Sequence, residues 1–188
     1  KIYPGMEVAL DGDLSRLMDE KRLITIADGP YILIELPFQR LPLGWEQIFF
    51  DVQSRGYRIL VAHPERCEQM MAHPELYEKM AAAGVWFQCN YDAFLGAYGP
   101  GSEEASFYLA QKGMIHCLAT DSHNAADRGP GMVSEAVAVL EDRVGRENFR
   151  LISRENPERV VAGRRLLSSA PGGESKNGKR RKPAWFPW

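Results

Sequence analysis

The sequence predicts an α/β fold built on a parallel sheet, and three observations predict it. Short apolar runs without polar alternation, YILIELP (31–37), YRILVA (57–62), VWFQCN (85–90) and IHCLA (115–119), read as strands covered on both faces. Segments with apolar residues at helical spacing lie between them, so strand and helix alternate along nearly the whole body. The buried runs carry acidic or imidazole side chains inside or just after them, and in a βα barrel such strand ends converge on one face.

Taken in order, KIYPGMEVAL has a Pro4-Gly5 turn signal and then Glu7 beside Val8 and Leu10, which puts a carboxylate into a strand. Leu14, Leu17 and Met18 form one face of a short helix to about Lys21. LITIADGP (23–30) reads as a short strand ended by the Asp28-Gly29-Pro30 turn. The next strand, 31–37, contains Glu35 and ends at Pro37. A buried carboxylate without partners costs several kcal/mol, so Glu35 calls for a cation or hydrogen-bond donors. Trp45, Ile48, Phe49 and Val52 predict a helix over 43–55, closed by Gly56. The strand 57–62 then delivers His63, followed by Pro64, Glu65 and Arg66. Pro74 suits the first turn of a helix that runs to Ala83 and stops at Gly84. Strand 85–90 ends in Asn90, and after GAYGPGS a helix from Glu103 to Lys112 leads through Gly113 into IHCLATDSHNAADRGP (115–130). Asp121 and His123, two apart on extended chain, would aim at one point past the strand end. Residues 131–144 form an amphipathic helix, and NPERVVAGRRLL (156–167) reads as a last one, with Asn156 as N-cap and Pro157 in first position.

At 188 residues, 45% hydrophobic and 26% charged, the chain suits one globular domain, assigned to 1–167, with a tail at 168–188. The formal charge of -2 conceals a basic tail carrying Lys176, Lys179, Arg180, Arg181 and Lys182, so the body is more acidic than the total and a nucleic-acid partner is not expected. Disorder is one reading of this tail; contact of its cations and aromatic residues with an anionic membrane surface or a protein partner is the other. Cys67, Cys89 and Cys117 lack CxxC spacing, and with no signal peptide or membrane span in view they read as buried thiols of a cytoplasmic protein.

Glu7, Glu35, His63, Asp121 and His123 thus form a candidate metal site. Mixed oxygen and nitrogen donors without cysteine suit manganese, iron or zinc. Arg66 and Arg128 follow these positions and suit a phosphate, although each could instead pair with the neighbouring Glu65 or Asp127. No cysteine has an arginine six positions on, and GxxxxGK[ST], GxGxxG and GxSxG are all missing, which excludes cysteine phosphatases, nucleotide-loop enzymes and serine hydrolases of those types. His73 reads as a surface or capping residue, and His116 as a core histidine or one that supports a ligand.

VAHPER, the Asn90 segment with FLGAYG, ATDSHNAADRGP and YILIELP together resemble the PHP (polymerase and histidinol phosphatase) superfamily, in its branch of bacterial protein-tyrosine phosphatases of capsule and exopolysaccharide synthesis. The resemblance covers roughly 1–167. It implies a distorted (β/α) barrel, a cluster of up to three metals usually called manganese, and hydrolysis of phosphotyrosine on an autophosphorylating bacterial tyrosine kinase. By the same resemblance Glu7, Glu35, His63, Asp121 and His123 match metal ligands, and Arg66 and Arg128 match phosphate-binding arginines. The family's opening HxH strand has no counterpart here, so the chain is expected to be the C-terminal part of such a phosphatase, with an N-terminally incomplete barrel. Two other expectations stand beside it: a PHP phosphoesterase acting on a small phosphate monoester, and a non-catalytic module that docks a phosphorylated kinase.

Overall fold

A computed structural model describes residues 1–11, 13–123 and 133–171. Among these, five strands form one parallel sheet whose spatial order is the chain order: β1 (Glu7–Ala9), β2 (Tyr31–Glu35), β3 (Arg58–Ala62), β4 (Trp86–Asn90) and β5 (Cys117–Ala119). Each step to the next strand passes through helix or turn, so successive strands lie side by side in the manner of a barrel segment rather than a doubly wound sheet. The helices are α1 (Asp13–Asp19), α2 (Trp45–Ser54), α3 (Glu68–Ala72), α4 (Glu75–Ala82), α5 (Pro100–Gln111), α6 (Val133–Val144), α7 (Arg146–Arg150) and α8 (Asn156–Val161).

The two faces of the sheet are built differently. Val8, Ile32, Ile34, Ile59, Val61, Phe87, Cys89 and Leu118 alternate along their strands into the main core, where they meet Leu14, Trp45, Phe49, Met80, Leu109 and Leu140 from the helices. Full burial of each such side chain stabilises by roughly 1.5–3 kcal/mol, so this face carries most of the fold. Residues of the opposite parity, Tyr31, Leu60 and Cys117 with partly buried Leu33 and Trp86, form a second, smaller cluster with Val160, Leu166 and Ile26. Glu7, Glu35 and Asn90 share this second parity, since Glu7 pairs with Leu33, Ala9 with Glu35, and Asn90 lies two and four residues beyond Gln88 and Trp86. The thinly covered face is therefore where the polar strand residues point.

Two sequence expectations need correction. Residues 23–30 form no strand: a 3-10 turn occupies Ile26–Asp28, with Ala27 and Asp28 at φ 54° and 57°, and the Ala27 N–H is taken by the Pro4 carbonyl at 2.8 Å. The turn chemistry of Asp28-Gly29-Pro30 begins earlier than the β-branched residues suggest. Asn156 is not an N-cap either. Its backbone is helical (φ -67°, ψ -44°), because α7 continues through a π turn at Leu151–Glu155 into α8, which ends at Val161. The Asn156 amide instead donates to the carbonyls of His116 (2.9 Å) and Leu167 (2.8 Å) and accepts the Leu167 N–H (3.0 Å), tying α8 and the following segment to β5.

All three cysteines are free and buried, as expected. Hydrogen bonds to the body run on to Ser169, whose hydroxyl donates to the Gly113 carbonyl, and to Ala170, held by Asn148. The basic and aromatic run from 172 to 188 lies outside the described residues. Among the described residues no helix is long and apolar enough to cross a membrane.

Candidate metal and phosphate site

Strands β1 and β2 and the turn after β3 bring three of the expected ligands together: Glu7 opens β1, Glu35 ends β2 and His63 follows β3. His63 Nε2 lies 3.1 Å from Glu7 Oε1 and 3.5 Å from Glu35 Oε1, and donor atoms of all three fall within 4.8 Å of one another. Strand register explains the two acids: they are diagonal neighbours on one face of the β1–β2 pair. His63 needs a further device. Extended backbone would send residue 63 with Ile59 and Val61 into the main core, but His63 sits at φ 28°, ψ 56°, and this turn swings the ring to the acids. Such a conformation in a non-glycine residue before proline costs of order 1–3 kcal/mol, held in place by the surrounding fold.

Neither acid is deeply buried; about a third of each side chain is exposed, whereas His63 is 4% exposed. The buried carboxylate expected at Glu35 is thus an open-faced one. Burial alone would push the His63 imidazole down, but the Glu7 carboxylate, with the Glu65 carboxyl close by, outweighs it and holds His63 above its ordinary value. A group of acceptors that favours a proton at this place favours a cation as well. Two carboxylates and an imidazole fit a divalent ion of the manganese, iron or zinc type.

Asp121 and Arg66 make the second half of the site. Asp121, after β5, has φ 48°. Its Oδ2 accepts from Arg66 Nη1 at 3.4 Å and from Asn90 Nδ2 at 3.2 Å. Arg66 is therefore paired with Asp121 and not with the adjacent Glu65. Its guanidinium packs on two aromatic rings, 4.5 Å from the centre of Phe38 and 4.6 Å from that of Tyr98. Tyr98 is fixed in turn, its hydroxyl donating to Asp92 at 2.9 Å and accepting from Asn90 at 3.3 Å. The Phe38 ring also stacks on His63, centroids 6.2 Å apart and planes at 26°, so it joins the two halves.

His123 does not join the three-residue cluster. Its ring donates to the backbone carbonyl of Asp121 at 2.8 Å, and the side chain is 62% exposed. Its Nδ1 also lies 3.6 Å from Asp121 Oδ1, so the two side chains do meet, though not by strand alternation, because β5 ends at Ala119 and Asp121 has left the extended region. Arg128 lies outside the described residues.

The sequence reading overlooked Phe38, Tyr98 and Glu65. Glu65 is fully buried; desolvation raises its carboxyl to about 7, against which the Asn90 N–H, donated to Oε1 at 2.8 Å, acts in the opposite sense. Through that bond it fixes the strand end that presents the Asn90 amide to Asp121. Asn90 was recognisable as another polar residue ending an apolar run. His116 is a core residue, its Nδ1 accepting the Phe87 N–H at 3.0 Å. His73 is exposed beside Glu75, as expected for a surface histidine.

Comparison with known proteins bears on this arrangement. A sequence profile described as capsular polysaccharide synthesis, CpsB/CapC, matches residues 1–162. The tyrosine-protein phosphatase YwqE of Bacillus subtilis (strain 168) is 31% identical over 170 residues, which is 90% of this chain and 66% of that protein. The tyrosine-protein phosphatase CpsB of Streptococcus pneumoniae is 21% identical over 165 residues, 84% of this chain and 66% of that one. One solved structure, from work on YwqE from Bacillus subtilis and CpsB from Streptococcus pneumoniae as unique metal-dependent tyrosine phosphatases, superposes with a TM-score of 0.82 at 31% identity, over 90% of this chain and 68% of the other. The chain spans about two thirds of the length of the curated relatives it matches.

Proposed function

The chain belongs to the CpsB/CapC family of capsular polysaccharide synthesis, and from that membership we propose that it is a metal-dependent protein-tyrosine phosphatase. Its substrate is phosphotyrosine on a bacterial tyrosine kinase that regulates capsule or exopolysaccharide synthesis, and its place of action is the cytoplasm. The observation that carries the reading is the meeting, on one face of the sheet, of the Glu7–Glu35–His63 donor cluster with an arginine packed against two rings, one of which also stacks on His63.

Glu7, Glu35 and His63 would hold a divalent cation, manganese, iron or zinc, and the family site takes up to three ions with Asp121 and His123 as further ligands. Bound there, such a cation supplies Lewis acidity and a water of lowered pKa. The rest falls to the chain's own residues. Arg66, packed against Phe38 and Tyr98 and oriented by Asp121, offers its remaining N–H groups to phosphate oxygens in paired hydrogen bonds. Arg128 is assigned the same role from its sequence position. Asn90 and Glu65 hold Asp121 in the position from which it orients Arg66.

The test is phosphate release from a phosphotyrosine peptide by the purified chain, with manganese and with chelator, beside bound metal measured by mass spectrometry. Chelator-sensitive release is expected, lost in His63→Ala together with most of the bound metal. Arg66→Lys keeps the charge but not the planar fork; it should retain metal while the rate falls by about tenfold or more. Stoichiometric metal with tight phosphopeptide binding and no release would refute the hydrolase reading in favour of a docking module.

A further inference from the structure

Phe38 is a large apolar side chain placed where a phosphate site has no evident use for one. It is 45% exposed, yet its position is tightly set: its carbonyl accepts the Glu68 N–H at 2.7 Å, and the carbonyl of Gln39 accepts the Gln69 N–H at 3.1 Å. These bonds pin the segment after β2 to the first turn of α3. The ring so fixed lies against the Arg66 guanidinium at 4.5 Å and over the His63 imidazole at 6.2 Å. It is thus adjacent both to the group suited to gripping a phosphate and to the donor cluster, with part of its surface open.

We propose that the open surface of Phe38 is an aryl subsite, which receives the ring of an aryl phosphomonoester and makes the site select aryl over alkyl phosphates. The inference rests on the phosphatase reading of the same site and goes beyond it, since phosphate binding and hydrolysis require only the cation and the arginines. A phosphate held by Arg66 has its ester group one oxygen away, within reach of the neighbouring ring. Aromatic pairs at centroid separations of 4.5–7 Å attract beyond the area they bury, whereas an alkyl group gains area alone. Tyr98, the other ring against Arg66, is engaged through its hydroxyl with Asp92 and Asn90, so the two rings are not equivalent: Tyr98 fixes the arginine, and Phe38 is the one presented to the substrate.

A role for Phe38 in merely steadying Arg66 makes a different prediction, which allows a decisive test. Phenyl phosphate and glycerol phosphate hydrolysis, and inhibition by inorganic phosphate, are compared in the manganese-loaded chain and in Phe38→Ala, Phe38→Leu and Phe38→Tyr. The expected result is a fall of about tenfold in the ratio of kcat/KM for phenyl phosphate to that for glycerol phosphate in Phe38→Ala, recovered in Phe38→Tyr but not in Phe38→Leu. A parallel fall for both esters, with or without weakened phosphate inhibition, would overturn the proposal and leave Phe38 as a support for Arg66. If the chain hydrolyses neither ester, the phosphatase reading fails separately, and titration with phenylphosphonate and methylphosphonate reads the same discrimination. Tighter binding of phenylphosphonate that is lost in Phe38→Ala upholds the subsite, and equal binding or no binding of the two rejects it.

Discussion

His116 gives the fold a defined acid limit. It sits one residue before β5, 5% exposed, with its ring edge-on to Trp86 at 4.7 Å and its Nδ1 accepting the Phe87 N–H at 3.0 Å. The ring is therefore neutral, with its proton on Nε2, and protonating Nδ1 would break that bond. Burial holds the group down to about 4, against 6.5 ordinarily. Below 6.5 the unfolded chain takes up a proton that the folded chain refuses until about 4. The contribution to stability is accordingly complete above 6.5 and is lost as pH falls toward 4, by about 3 kcal/mol in all. Most of it is gone at pH 4.5. Cys117 next to it is held up to about 12 by burial and stays neutral throughout. The perturbation is His116→Asn, in which the amide oxygen can still accept the Phe87 N–H. Urea unfolding is followed by tryptophan fluorescence at pH 7.5 and pH 4.5. The variant should be less stable at pH 7.5, by about 1–3 kcal/mol for the lost ring volume, but should lose about 2–3 kcal/mol less than the wild type between the two pH values. Equal losses in both proteins would refute the assignment of this limb to His116.

Other expectations concern the joints that fasten the last helices. Asn156→Ala removes three hydrogen bonds at a buried position, and denaturant unfolding should show a loss of about 2–4 kcal/mol, well beyond that of an ordinary helix cap. Gly113 has φ +68°, and a Cβ there would come within 2.7 Å of the Ser169 carbonyl oxygen, so Gly113→Ala should lower Tm by several degrees and weaken the hold on residues 169–170. Gly101→Ala is the control: its Cβ would meet only the Met71 sulfur at 3.2 Å, the end of a flexible side chain inside a helix, and Tm should change little or rise.

How much of this was legible in the sequence depends on how local each cause is. The strands from Tyr31, Arg58 and Trp86 were plain because a sheet covered on both faces leaves apolar runs with no alternation, and Glu7, Glu35 and His63 stood out as the residues that interrupt or end such runs. The short turn at Ile26–Asp28 was misread as a strand because β-branched residues say nothing of whether a neighbouring strand exists to pair with. Asn156 looked like a cap because the same residue type serves at helix starts and in buried networks, and only the π turn before it decides between them.

The site itself depends on a feature that residue patterns do not carry. Alternation along a strand assigns Glu7, Glu35 and Asn90 to the right face, but it sends His63 the wrong way, and Asp121 and His123 meet through a turn rather than along extended chain. Both His63 and Asp121 lie at positive φ immediately past their strands, at the two places where the chain must turn polar groups across the sheet end. Neither residue is glycine, so the fold accepts strain where glycine would relieve it and thereby keeps an imidazole and a carboxylate at those points. Phe38 and Tyr98 were hidden for a related reason. They come from the segments after β2 and β4, distant in sequence from each other and from Arg66, and the lateral pairing of β2, β3 and β4 brings the two rings to one guanidinium. Parallel pairing in chain order gathers the polar strand ends, and the turns after those strands decide which side chains face one another.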